Sequence, residues 1–132
     1  SWAVRPVEVG NPHAVIFCDD PEGVELERVG PVLEQAAPFP DGANVEFVRA
    51  DGDGALFLRV WERGSGITLA CGTGACAAFA AARREGLCGT RARVRLPGGE
   101  LEAEQQGERS LLTGPARTVY EGELSPEWEN SR

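Results

Sequence analysis

The segment Ala70-Cys71-Gly72-Thr73-Gly74-Ala75-Cys76 holds the residue types best suited to chemistry in this 132-residue chain. A glycine-rich turn that opens into a helix leaves backbone N–H groups without intrahelical partners, and the helix dipole adds partial positive charge at the same place. Such a mouth binds carboxylates or phosphates. A cysteine placed there has its thiolate stabilised, so Cys71 is expected to work as a base or nucleophile near neutral pH. The ordinary alternative is a small core residue; the flanking glycines and the helix start favour function. Cys76, inside the helix, reads as core, and Cys18 and Cys88 carry no signal beyond packing. Three other patches put polar groups at turns and strand ends: Gly10-Asn11-Pro12-His13, Asn44, and Glu62-Arg63 beside Trp61. Each has a plain structural reading: a turn residue for Asn11, a strand cap for Asn44, a structural imidazole for His13, a weak exposed ion pair for Glu62 and Arg63. Together they supply amide, imidazole, carboxylate and guanidinium groups, which a zwitterionic substrate with a polar far end would need.

Composition removes several other chemistries. All thirteen Lys-plus-Arg residues are arginine, so no lysine is present to anchor pyridoxal phosphate as a Schiff base. The net charge is −8 with no basic run, which argues against a nucleic-acid partner, since that affinity rests on neutralising phosphates. No apolar run approaches a membrane span, and Pro6 and Glu8 stand where a signal peptide would need an apolar stretch. A cytoplasmic location with free thiols is therefore expected for Cys18, Cys71, Cys76 and Cys88 rather than two disulfides. As a zinc site the four are poor: no CxxC pair occurs and His13 is far away in sequence. Gly72, Gly74 and Ala77 fit a loose dinucleotide-binding pattern. The preceding strand and the later acidic residue that the pattern needs are missing, and Arg91, Arg93 and Arg95 occupy the expected region. The chain contains no methionine, so either an initiator preceded Ser1 or this is a piece of a longer chain.

The elements that must position these groups can be read from period and punctuation. Val4, Val7 and Val9 suggest a strand, as does Ala14 to Cys18. Asp19 to Gly23 is a turn signal. Val24 to Gln35 has helical spacing in Leu26, Val29 and Leu33, broken by Gly30-Pro31, and reads as one or two short helices; Pro38, Pro40 and Gly42 then make a loop. Asn44 to Arg49 and Ala55 to Trp61 form a hairpin around Asp51-Gly52-Asp53-Gly54. Gly64 to Thr68 is a broken stretch. Thr73 to Glu85 is a helix stopped by Gly86, apolar all round for most of its length and hence buried. Arg91, Arg93 and Arg95 alternate with Ala92, Val94 and Leu96, Pro97-Gly98-Gly99 turns, and Glu100 to Glu104 alternates back. Leu111-Leu112 and Thr118 to Leu124 suggest two more strands. Residues 1–124 are expected as one domain and Ser125 to Arg132 as a polar, loose tail. The expected fold class is α+β, a curled, mostly antiparallel sheet around one small-residue helix.

Gly10-Asn11-Pro12-His13, Phe39-Pro40 with Asn44-Val45-Glu46-Phe47, Trp61-Glu62-Arg63-Gly64, Ala70 to Cys76, Leu96 to Gly99, Thr113 to Ala116 and Val119 to Gly122 resemble, in order and spacing, the C-terminal half of the diaminopimelate epimerase family. The resemblance runs from about Val9 to Leu124. It implies a cofactor-independent isomerase, free of pyridoxal phosphate and metal, that interconverts LL- and meso-diaminopimelate in amino-acid biosynthesis by proton transfer between two opposed cysteines. It implies that Cys71 is the second of that pair, that Glu62 lies by the reacting centre, that His13 polarises the catalytic groups, that Gly72 and Thr73 hold the α-carboxylate, and that Asn11, Asn44 and Arg63 bind the distal amino-acid end. It further implies a two-domain fold in which this chain supplies one sheet-and-helix half, an N-terminal half as partner, and pairing into a homodimer. No second glycine-rich cysteine motif occurs here, and Cys76 lies on the same helix as Cys71, so the chain alone is expected to be inactive. Ile67 stands where the family usually has glutamate. A racemase of the same fold with another amino-acid substrate, a non-catalytic binding or dimerisation remnant, and a zinc module are the alternatives.

Overall fold

Alternation in the strands and the unbroken run of small residues near the middle of the chain dictate two kinds of surface, and the fold joins them. The structure, a computed structural model, describes residues 1–131. Eight strands form one sheet: β1 (Val4–Glu8), β2 (Pro12–Phe17), β3 (Asn44–Ala50), β4 (Leu56–Glu62), β5 (Gly66–Thr68), β6 (Arg91–Leu96), β7 (Gly99–Gln106) and β8 (Arg109–Thr113). The sheet order is β1-β2-β3-β4-β6-β7-β8, with β5 also on β4. Most neighbours are antiparallel; β2 with β3 and β4 with β6 are parallel. Parallel pairs need long crossovers. Helix α1 (Leu26–Glu34) lies in the first, and β5 with helix α2 (Gly72–Arg84) lies in the second.

Helix α2 is the object the sheet curls around. It touches β1, β2, β3, β4, β6, β7 and β8. Gly74, Ala75, Ala77, Ala78, Ala81 and Ala82 are buried along it, together with Phe79. Side chains this small let strand backbones approach closely, and the charges are held back to Arg83 and Arg84 in the last turn, where they suit the dipole. One core forms between this helix and the inner sheet face, with Val15, Val48, Leu56, Leu58, Val60 and Val94. A second forms on the outer face, where Ala14, Ile16, Val45 and Phe47 meet Leu26 of α1 and Phe39. Strand β2 is therefore covered on both sides, which explains its continuous run of buried residues.

Local details follow the residue chemistry. Arg91, Arg93 and Arg95 are exposed, while Ala92, Val94 and Leu96 between them are buried. The β3–β4 turn closes with Asp51 N–H on the Ala55 carbonyl at 2.8 Å, and Arg95 and Arg93 reach across from β6 to Asp51 and Asp53 at 2.9 and 3.0 Å. Helix α1 is a single helix that carries Pro31 within it. Gly30 there is a packing requirement: a Cβ would stand 2.4 Å from the Trp61 ring, whose indole N–H donates to Glu34 at 2.7 Å.

Three expectations need correction. The expected strand at Thr118 to Leu124 is absent; this exposed segment has no regular structure, because it has no neighbouring strand to complete a ladder. Gly64 to Thr68 is not merely broken: Gly66 to Thr68 pairs with Val60 to Glu62 as β5. Within Ser125 to Arg132, a single helical turn, α3 (Pro126–Glu129), is capped by the Ser125 hydroxyl, which accepts the Trp128 N–H at 3.3 Å; Arg132 lies outside the described residues. Among the described residues no helix is long and apolar enough to cross a membrane.

Candidate active site

Strand parity decides which polar groups meet the mouth of α2. On the inner face, Val15 shares parity with His13, Val48 with Glu46 and Asn44, and Val60 with Glu62. The β2–β3 register puts His13 opposite Asn44. Moving toward one end of the sheet, the inner face thus changes from valine to imidazole, amide and carboxyl, and α2 begins there.

Cys71 is itself the N-cap of α2, one residue earlier in the helix than the expected start at Thr73 implied. Its backbone is extended (φ −146°, ψ 112°), its carbonyl accepts the Ala75 N–H at 3.0 Å, and its Sγ accepts the Gly74 N–H at 3.3 Å. Sulfur thus takes the place that a serine or threonine oxygen usually fills. The Thr73 hydroxyl lies 3.6 Å from the same sulfur. Gly72 and Thr73 are exposed at the mouth, while Cys71 is only 8% exposed.

From Thr73 a continuous chain of contacts runs inward. The Asn11 side-chain amide reaches the Thr73 Oγ1 at 3.4 Å, the Asn11 Oδ1 lies 3.1 Å from His13 Nε2, and His13 Nδ1 lies 2.6 Å from Glu46 Oε1. His13 and Glu46 are fully buried. Glu46 is thus a site residue that the sequence reading passed over within the motif Asn44 to Phe47. Its signal was parity with Asn44, but a lone glutamate in a strand reads as solvent-facing until both faces of the sheet are known to be covered. Gly74 also gains a reason: a Cβ there would stand 2.8 Å from Glu46 Oε1 and 3.2 Å from Cys71 Sγ.

The other expected residues form a second group. Asn44 Oδ1 accepts the backbone N–H of Arg63 at 2.8 Å. The Arg63 guanidinium turns back onto the carbonyls of Asp41 and Gly42 at 3.0 and 3.2 Å. It borders a cleft of about 480 Å³ lined also by Pro12, Phe39 and Pro40; Cys71 does not line that cleft. Glu62 Oε1 accepts the Thr68 hydroxyl at 2.6 Å, which tethers β4 to β5. Among the described residues Glu62 and Arg63 form no ion pair, which was the plain alternative for them; each is held by a different neighbour.

Electrostatics correct one expectation. Burial pushes the Cys71 thiol above the ordinary thiol range; the hydrogen bonds from Thr73 and Gly74 pull it down, and Glu62 pushes it up again. At Cys71 desolvation thus opposes the donors of the helix mouth and is the larger influence. Burial likewise raises the Glu46 carboxyl, against the opposing pull of His13 and with a further push from Glu62. All four cysteines are free, and among the described residues no cluster of three or more His, Cys, Asp or Glu groups could hold a metal ion.

Comparison with known proteins gives the family. The family model for diaminopimelate epimerase matches residues 6–119. A diaminopimelate epimerase from Synechocystis sp. is 47% identical over 125 residues, covering 93% of this chain and 45% of the relative. One from Microcystis aeruginosa is 49% identical over 123 residues, covering 92% and 44%. The chain thus spans about half the length of the curated relatives it matches. Among solved structures, a phenazine biosynthesis PhzC/PhzF protein from Clostridium difficile aligns over 98% of this chain and 49% of its own, with a TM-score of 0.63 at 22% identity. A PhzF-family phenazine biosynthesis protein from Enterococcus faecalis aligns over the same shares with a TM-score of 0.64 at 18% identity. These two likenesses are of fold: each neighbour is about twice as long and is matched over one half. From its matched residues and its identity to these relatives, the chain belongs to the diaminopimelate epimerase family.

Proposed function

We propose that this chain is the C-terminal half of a cofactor-independent epimerase acting at the α-carbon of diaminopimelate, with Cys71 as one of two opposed acid–base thiols. The observation that carries this reading is Cys71 as the side-chain cap of α2, at a mouth where Asn11, His13 and Glu62 stand on neighbouring strand ends. In one direction a thiolate from the N-terminal half takes the α-proton, breaking the C–H bond and leaving its electron pair on the substrate. Cys71 then gives its S–H proton to the opposite face. The raised Cys71 thiol suits that donor role, since burial favours its protonated form. The α-carboxylate sits at the Gly72 and Thr73 end of α2, where the helix dipole steadies the developing negative charge. Asn11, Asn44 and Arg63 take the distal end, beside the cleft that Arg63 borders. Ile67 and Leu69 are exposed at 37% and 66% just ahead of Cys71, an apolar rim suited to cover by the second half.

Alpha-proton exchange into deuterated water tests this. The chain alone should give negligible exchange with diaminopimelate; a chimera in which it follows the N-terminal half of the Synechocystis relative should exchange. Cys71→Ala in that chimera should lose about 10²–10⁴-fold. Robust exchange by the chain alone would overturn the two-thiol reading. A second reading, a racemase of this fold with another amino-acid substrate, is favoured by Ile67, which replaces an expected glutamate. Faster exchange on amino acids that lack the distal end than on diaminopimelate would select it.

A further inference from the structure

We propose that Glu46 is a positioning residue, a neutral carboxylic acid at the head of a hydrogen-bond chain in which each link donates toward Cys71 Sγ. This rests on the reading of Cys71 as an acid–base thiol and adds what sets its proton affinity.

The direction of the chain follows from its members. Asn11 presents Oδ1 to His13 Nε2 at 3.1 Å and its amide nitrogen to Thr73 Oγ1 at 3.4 Å. An oxygen facing Nε2 requires Nε2 to carry the proton. Nδ1 then either accepts an O–H from Glu46 Oε1 at 2.6 Å or, in an imidazolium, donates to its carboxylate; the full burial of both groups favours the first, a pair without charge. Thr73, having accepted from Asn11, turns its own O–H to the sulfur at 3.6 Å. The Gly74 N–H arrives independently at 3.3 Å. Read outward, the donors are Glu46 O–H, His13 Nε2–H, Asn11 N–H and Thr73 O–H, and the sulfur accepts last. A thiolate formed when Cys71 gives up its proton would find this chain already aimed at it.

The protonation of Glu46 has independent support. Glu46 is completely buried, and its Oε2 is, among the described residues, a buried side-chain polar atom with no hydrogen-bond partner. An unpartnered anionic oxygen there would be far more costly than an unpartnered neutral carbonyl. The groups that face it are His13 from β2, Glu62 from β4 and Cys71 at the start of α2; a second negative charge beside Glu62 would be repelled. Gly74 leaves the space: a Cβ at that position would stand 2.8 Å from Glu46 Oε1 and break the approach of α2 to the acid.

His13 is the only histidine, so its ring nitrogens can be read without ambiguity in the ¹⁵N-labelled chain. In the wild type at pH 7 the proton should sit on Nε2, with Nδ1 as acceptor. Glu46→Gln, whose amide also donates to Nδ1, should keep that tautomer and leave the Cys71 titration midpoint where it was, as read from the pH dependence of alkylation resolved by peptide. Glu46→Leu and Thr73→Val should each raise that midpoint by about half to one pH unit, the loss of one ordinary hydrogen bond to the sulfur's side of the chain. Thr73→Val should do so with the His13 tautomer unchanged. A ring carrying a proton on Nδ1, a Glu46→Gln midpoint lower by about one unit or more, as removal of a nearby anion would give, or no response to Thr73→Val overturns the proposal. If Glu46→Leu does not fold, the wild type, Glu46→Gln and Thr73→Val decide it. None of these measurements uses substrate or a second half. A failed exchange assay therefore leaves them standing, and a wrong tautomer leaves the exchange assay standing.

Discussion

At the scale of single residues, the buried polar groups of the site each depend on one or two partners. Asn44 is 8% exposed and its Oδ1 takes the Arg63 N–H at 2.8 Å. Asn44→Ala should destabilise the chain by about 1 kcal/mol through that lost bond, read as a lower urea midpoint with an unchanged slope. Glu46 gives a pH-dependent case. Burial raises its folded-state carboxyl above the ordinary glutamate value of about 4.3. Between that value and the raised one, the folded chain holds a proton that the unfolded chain has released, so this contribution to stability is lost as pH rises through the window. Glu46→Gln cannot titrate. Urea unfolding of both proteins from pH 4 to 8 should show the wild type losing ground to the variant as pH rises; a gap that stays flat or moves the other way would contradict a raised carboxyl.

At the scale of elements, the helix mouth is positioned by neighbours distant in sequence. The β6–β7 turn is the clearest. The Gly98 N–H donates to the Leu69 carbonyl at 2.7 Å, and a Cβ at Gly98 would stand 2.8 Å from that oxygen. Gly98→Ala must therefore move backbone that leads directly into Cys71. It should cost about 1–3 kcal/mol and lower exchange in the active chimera, whereas Gly52→Ala, with open space around its Cβ, should stay within about 0.5 kcal/mol of wild type. Thermal melts of the two variants check the contrast. Much of this layer was legible beforehand. The β3–β4 hairpin followed from Asp-Gly-Asp-Gly between alternating runs, and the buried helix from its alanine content. Thr118 to Leu124 misled because β-prone residues such as Thr118, Val119 and Tyr120 suit a strand whether or not a partner strand exists beside them. Gly66 to Thr68 was missed for the converse reason: a three-residue strand has too little pattern to read, and only pairing with Val60 to Glu62 makes it one.

At the scale of the whole molecule, folding buries Cys71 and leaves Cys18, Cys76 and Cys88 half-buried. Burial raises Cys18, Cys71, Cys76 and Cys88 above the ordinary thiol range. In unfolded chain these thiols ionise from about pH 8.5. Above that pH the unfolded state holds fewer protons than the folded one, so stability should fall as pH rises. Urea midpoints measured with reductant present should drop between pH 8 and pH 10; a midpoint that holds steady would show that the thiols titrate alike in both states.

The sequence determined on its own that a cysteine would stand at a glycine-rich helix mouth, that the helix behind it would be buried, and that Asn11, His13, Asn44, Glu62 and Arg63 would lie at turns or strand ends. These are local properties, set by residue size, period and the conformational freedom of glycine. Only the tertiary structure decided which of them meet. Strand parity and the β2–β3 register brought His13 and Glu46 under α2 and joined them through Asn11 and Thr73 to Cys71, while Asn44 and Arg63 paired with each other. Tertiary packing also opposes the expected lowering of the thiol. The helix mouth offers donors that any reader of the motif can see, but the desolvation that opposes them comes from the sheet wrapped around it, and no local stretch of sequence records that enclosure.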